Sequence, residues 1–138
     1  MKRTLITTTA LGVALLLQAG CHMGGAYAPV NTTRYDLENR AKFVLLDEDI
    51  QDAVTCSGLQ ERFNTDGRLE ITANVRNRLE KRISVQINCV FKDEQGFPTG
   101  DETPFQTLIL SENAQEGVRF ISINNRARGY TIRIRRMH

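Results

Sequence analysis

The sequence predicts a mainly β domain: an antiparallel two-sheet sandwich, immunoglobulin-like in outline, with about seven strands behind a signal peptide and a short tether. Three observations predict it. From about residue 41 apolar and polar side chains alternate with a period of two, the mark of half-buried strands. Turn-forming clusters interrupt that alternation at short intervals. The chain has 138 residues, 41% hydrophobic and 25% charged, with no Trp, which is globular composition with room for one domain rather than two.

The amino terminus reads as an export address. Lys2 and Arg3 form a positive start, and Leu5 to Leu17 follow as 13 residues without charge. A membrane span needs about 20 apolar residues, so this run is too short to cross and fits a secretory signal. Ala19 and Gly20 lead into Cys21, an ending that resembles the lipobox of bacterial lipoproteins, although Gln18 stands where these signals usually carry Leu. The resemblance implies acylation of the Cys21 thiol, which becomes the new amino terminus. His22 in place of Asp implies sorting to the outer membrane, with the domain on its periplasmic face. An ordinary secretory signal cleaved after Ala26 or Ala28 is the alternative. The division is then residues 1–20 as signal peptide, 21–34 as lipidated Cys and flexible tether, and 35–138 as sandwich. Gly24, Gly25, Ala26, Ala28 and Pro29 give the tether no apolar period. Its reach is roughly 20 Å, which keeps the domain close to its membrane.

In the body, Leu69, Ile71, Ala73 and Val75 alternate with Arg68, Glu70, Thr72, Asn74 and Arg76. Ile83, Val85, Ile87, Cys89 and Phe91 repeat the pattern, and Tyr130, Ile132 and Ile134 close it. Shorter strands are expected over Lys42–Leu46, Ala53–Ser57, Phe105–Leu110 and Val118–Ile123. Turns are expected at Asn64–Gly67, Asp93–Gly96, Pro98–Gly100 and Ala127–Gly129. Ser57–Asn64 and Leu110–Glu116 are the stretches able to hold a helical turn.

Several of these pieces together resemble the YcfL-like family of bacterial periplasmic lipoproteins. They are Asn77 after the Leu69–Val75 strand, Val90-Phe91-Lys92-Asp93 with Gly96 after it, Phe105-Gln106, and the closing run Gly129-Tyr130-Thr131-Ile132-Arg133-Ile134-Arg135. The resemblance covers about half the chain and implies a fold and a location rather than an activity.

Chemistry is sparsely marked. His22 and His138 are the two His, near the ends, which weakens most His-based catalysis. Once Cys21 is acylated, Cys56 and Cys89 remain as an even pair in an exported domain, ending a loop of 34 residues that counts both of them. A disulfide would add about 3–4 kcal/mol; two buried free thiols fit the same strand faces equally well. Asp47, Glu48, Asp49 and Asp52 cluster, but without the Gly and distal Glu of a calcium loop they read as a solvated turn. Zinc lacks ligands. No carboxylate pair, phosphate loop or nucleophile elbow is marked, so neither a catalytic residue nor a cofactor is expected.

Charge is the remaining signal. Removing Lys2 and Arg3 from 18 basic side chains leaves 16 against 16 acids, a neutral mature chain that disfavours nucleic acid as partner. After Glu116, however, there are six Arg and no acid. Arg133 and Arg135 share a face, since strand side chains repeat every two residues. With Arg119 they form a candidate docking face for an anionic envelope polymer or an acidic protein; a solvated, cross-strand-paired sheet face is the alternative. The function expected is a non-enzymatic binding or envelope-maintenance module, held to the membrane by its lipid. The alternatives are an accessory subunit of an envelope or secretion complex, and a small carboxylate-dependent cell-wall hydrolase, which would need a cleft of converging acids.

Overall fold

Period two in the sequence becomes eight strands in a computed structural model, which describes residues 25–30 and 36–138. After a helical turn, α1 (Leu37–Arg40), come β1 (Phe43–Leu45), β2 (Val54–Phe63), β3 (Leu69–Asn77) and β4 (Ile83–Lys92). Then follow β5 (Pro98–Glu102), β6 (Gln106–Leu110), β7 (Gln115–Ile121) and β8 (Gly129–Arg136). The chain divides into units Met1–Thr32 and Thr33–His138. In the first, residues 25–30 are exposed and irregular. The expected signal peptide and Cys21 lie outside the described residues. Among the described residues no helix is long and apolar enough to cross a membrane.

The second unit is a two-sheet sandwich. One sheet runs β1-β8-β4-β5, with β6 also pairing β4; the other runs β2-β3-β7. All pairs are antiparallel except β1 with β8, which is parallel, a departure from the wholly antiparallel expectation. The core is the sum of the inward alternations. Ile71, Ala73 and Val75 of β3 meet Ile87, Cys89 and Phe91 of β4 and Ile132 and Ile134 of β8, all fully buried.

Three local expectations are corrected. Ser57–Asn64 is strand, not helical turn. A bulge at Ser57 shifts the inward set from Cys56, opposite Val75, to Leu59, opposite Ala73, so the alternation changes parity partway along β2. Pro98–Gly100 is not a free turn but part of β5, the strand added to the seven expected. Pro98 sits at its first position, where no ladder donor is lost, and the strand pairs with β4 across a register shift. Leu110–Glu116 is the end of β6, a tight turn with Asn113 at φ 53°, and the start of β7.

Polar side chains fasten the turns. The Asn64 carboxamide oxygen accepts from Asp66 and Arg68 N–H, with Gly67 at φ 75° completing the β2–β3 hairpin. Asp93 accepts from Gln95 and Phe97 N–H around Gly96, at φ 86°, which is the turn role expected of it. Asn77, fully buried, does most. Its NH2 donates to Lys81 O at 2.7 Å and Ser111 O at 3.0 Å, and its Oδ1 accepts from Leu79 N–H at 2.9 Å. One amide thus ties the β3–β4 turn to the β6–β7 turn.

At the side where β1 and β2 form the sheet edges, inward-facing Glu61 accepts a hydrogen bond from Tyr130 Oη at 2.9 Å and pairs with Lys42. Lys42, then Tyr130, holds the Glu61 carboxyl below its usual range. Burial, then Glu61, pushes the Tyr130 phenol up.

Two outcomes follow from these contacts. Asn77→Ala strands several buried backbone groups and should lower stability by about 2–4 kcal/mol in urea unfolding. Because the folded Glu61 carboxyl binds protons less readily than the unfolded one, its stabilisation is complete above the ordinary pKa of 4.5. It is lost as pH falls through the folded value. Glu61→Gln should therefore flatten the acid limb of a stability–pH curve and leave its slope near pH 7 unchanged.

Candidate functional site

Cross-strand register builds the candidate site on the outer face of the β1-β8-β4-β5 sheet. Inward claims on Ile132 and Ile134 leave Arg133 and Arg135 pointing outward, opposite Asn88 and Gln86 of β4. The Arg133 Nε donates to Asn88 Oδ1 at 3.0 Å, and the guanidinium pairs with Glu102. Asn88 in turn donates to Glu102 at 3.0 Å and to Thr103 O at 3.2 Å, closing a triangle around a fully buried amide. Phe105, in the link from β5 to β6, lies over both arginines, its ring centroid 3.7 Å from the Arg135 guanidinium and 5.4 Å from that of Arg133.

The two arginines therefore differ. The Arg133 side chain is only 19% exposed and its charge is matched by Glu102. Arg135 donates through Nε to Gln86 at 2.8 Å and is held flat on Phe105. Among the described residues its terminal nitrogens have no partner. That is a preorganised fork for an anion. The expected trio does not converge: Arg119 lies on β7 in the other sheet, where it and Arg62 both bind Glu70. Arg136, beside the fork in sequence, is engaged by Asp47 and Asp49.

Beside the Arg133 triangle the same face carries a cavity of about 200 Å³, lined among others by Glu38, Lys92, Glu102 and Thr131. Turn α1 closes one side of it. Lys92 Nζ donates to Glu38 O at 2.5 Å, and the Thr131 hydroxyl reaches the Glu38 and Ala41 carbonyls. The cations here already have acceptors, so the cavity is polar but electrically closed.

The cysteines are separate thiols in the structure. Cys89 is fully buried on β4, and burial, reinforced by Asp101, pushes its thiol up to about 12. Cys56 on β2 donates to Gly58 O at 3.3 Å, and burial raises its pKa as well. Both stay protonated at neutral pH, the opposite of a nucleophilic thiolate. The carboxyls that shift, Glu61 and Glu70, are both pushed down: Glu61 by Lys42, and Glu70 by Arg62 and then Arg119. Those are the directions of carboxylates held ionised by neighbouring cations, whereas a general acid needs its pKa raised. Among the described residues no group of three His, Cys, Asp or Glu could hold a metal ion.

Sequence reading missed Glu102, Asn88, Phe105 and Glu70 as partners of these arginines. Strand register, and for Phe105 the β5–β6 link, brings them together; of the four, Phe105 alone is among the residues that carry the family resemblance.

Comparison with known proteins bears on the whole domain. The fold is similar to the crystal structure of Campylobacter jejuni cj0090, with a TM-score of 0.58 at 19% identity over 70% of this chain and 98% of that one. It is also similar to a DUF1425 family member from Shewanella sp. pv-4, with a TM-score of 0.56 at 21% identity over 62% of this chain and 79% of that one. No curated protein matches the sequence. The family model described as "Protein of unknown function (DUF1425)" matches residues 41–136, from just before β1 to the end of β8. The chain thus belongs to the DUF1425 family.

Proposed function

We propose that the chain is a lipoprotein, anchored through Cys21 at the periplasmic face of the outer membrane, that works as a non-enzymatic binding module of the cell envelope. The signal-like start, the small residues before Cys21 and the resemblance to YcfL-like lipoproteins, a finer grouping within DUF1425, support the anchor. The observation that carries the binding reading is the Arg135 guanidinium, immobilised on Phe105 with its terminal donors unpartnered. A rigid fork loses little freedom on meeting a carboxylate or phosphate. An anionic envelope polymer or an acidic protein has the matching chemistry. The enzymatic alternative draws no support from the thiols and carboxyls that shift among the described residues: Cys56 and Cys89 are pushed up, and Glu61 and Glu70 down.

Three variants test this. Cys21→Ser should abolish fatty-acid labelling and release the exported domain from membranes; wild-type protein that fractionates as soluble and unlabelled would end the lipoprotein reading. Arg135→Gln should change stability by less than about 1 kcal/mol, yet reduce retention on purified envelope material, and the wild-type retention should weaken with salt. Arg133→Gln, by contrast, should destabilise by about 2–3 kcal/mol, because it breaks the Asn88–Glu102 triangle.

A further inference from the structure

The outer face of the β2-β3-β7 sheet is built differently from an ordinary solvated sheet face. Outward rows across its three strands are set by register: Arg62 opposite Glu70, Gln60 opposite Thr72 opposite Arg119, and Gly58 opposite Asn74 opposite Gly117. The last row has a side chain only in the middle. A Cβ at Gly58 would lie 3.4 Å from Asn74 Nδ2, and one at Gly117 would lie 3.6 Å from Asn74 Oδ1. Neither glycine has a positive φ, so the backbone does not require them. Their effect is to leave a flat shelf crossing all three strands, about 10 Å long.

Both long sides of this shelf are flanked by bridges running from β2 to β7. On one side the Ser57 hydroxyl, thrown out by the β2 bulge, donates to Gln115 Oε1 at 2.6 Å. On the other, Arg62 and Arg119 converge on Glu70. Between the walls lie adjoining depressions of about 400 and 210 Å³ that share Gln60 and Thr72. Among the described residues the Asn74 and Gln60 amides and the Thr72 hydroxyl have no side-chain hydrogen-bond partner.

Charge narrows the occupant. Glu70 is the face's single acid, buried to 8% side-chain exposure, against Arg62 and Arg119, which stay 66% and 54% exposed. Glu70 holds the two guanidiniums in place and neutralises only one of them. Arg76, one row beyond Asn74, adds a third cation, and its Nε is buried without a partner. A ligand that uses the whole trough therefore presents a broad face with amide and hydroxyl groups to the shelf, and a carboxylate to the arginine pair.

We propose that this face binds a carboxylate-bearing glycan strand of N-acetylated rings, laid across the strands on the Gly58–Asn74–Gly117 shelf with a carboxylate at Arg62 and Arg119. The proposal rests on the reading of the chain as an envelope-binding module, and adds a second site and a ligand class to it.

The test is calorimetric titration of the full chain in detergent with peptide-free glycan fragments, prepared from sacculi by amidase and muramidase, whose alternate rings carry a lactyl carboxylate. Gly117→Val fills the shelf with a residue that suits an edge strand, and Arg119→Gln removes a carboxylate donor. Each should weaken binding about ten-fold or more, which for Arg119→Gln is the scale of one charge-assisted hydrogen bond, with melting temperature unchanged for Gly117→Val. Neutral chito-oligosaccharide of the same length and poly-glutamate should each bind about ten-fold more weakly than the fragments. Wild-type affinity in Gly117→Val, or equal affinity for poly-glutamate, overturns the proposal. Sacculus retention that depends on Arg135 but not on Gly117 overturns the glycan site alone and leaves the envelope-binding reading standing. Absence of both retention and fragment binding overturns both.

Discussion

Ile71, Ala73 and Val75 on one sheet press against Ile87, Cys89, Phe91, Ile132 and Ile134 on the other, and every one of them is excluded from water. Strand side chains repeat every two residues, so a slip of one residue in β3, β4 or β8 would turn the whole buried set outward. Register is therefore fixed by burial, and the outer surfaces inherit it. Arg133 meets Asn88, and Arg135 meets Gln86, because Ile132 and Ile134 must face in. Glu70 stands between Arg62 and Arg119 because Leu69 and Ile71 must do the same. The polar faces are by-products of packing in position, though not in residue type.

Arginine does structural duty at most of its sites. Glu102, Glu70, Asp49 and backbone oxygens such as Ser122 O each hold a guanidinium. Of the six arginines after Glu116, Arg119 and Arg136 pair with Glu70 and Asp49, and Arg128 and Arg133 with Glu94 and Glu102, so the neutral total is spatially mixed. What remains distinctive is where an arginine is immobilised yet incompletely used: Arg135 over Phe105, and the Arg62–Arg119 pair on Glu70. Both are rigid for the same reason, a neighbour that fixes the guanidinium plane while leaving nitrogens to solvent.

The architecture was legible because β3, β4 and β8 are half-buried and keep their period. The losses have physical causes. At Ser57 the bulge reverses which parity faces inward, so Leu59, Glu61 and Phe63 look out of phase with Val54 and Cys56. β5 carries Pro98 and Gly100, residues whose local preference is for a turn, and tertiary pairing with β4 overrides it. The shared face of Arg133 and Arg135 follows from spacing alone. That Arg119 belongs to the opposite sheet does not, because sequence gives alternation within a strand but not the order of strands in space.

The parallel pairing of β1 with β8 carries a mechanical consequence. Lys42 O accepts from Ile132 N–H, and Leu46 N–H donates to Ile134 O, each at 2.8 Å. In a parallel pair the amino end of one strand and the carboxyl end of the other lie at opposite ends of the ladder. Tension between the chain entering β1 and the chain leaving β8 therefore pulls along the strands, and these bonds must rupture together. Peeling an antiparallel hairpin from its open end would break them one at a time. A domain hauled from its amino-terminal side is clamped at the first strand it would lose.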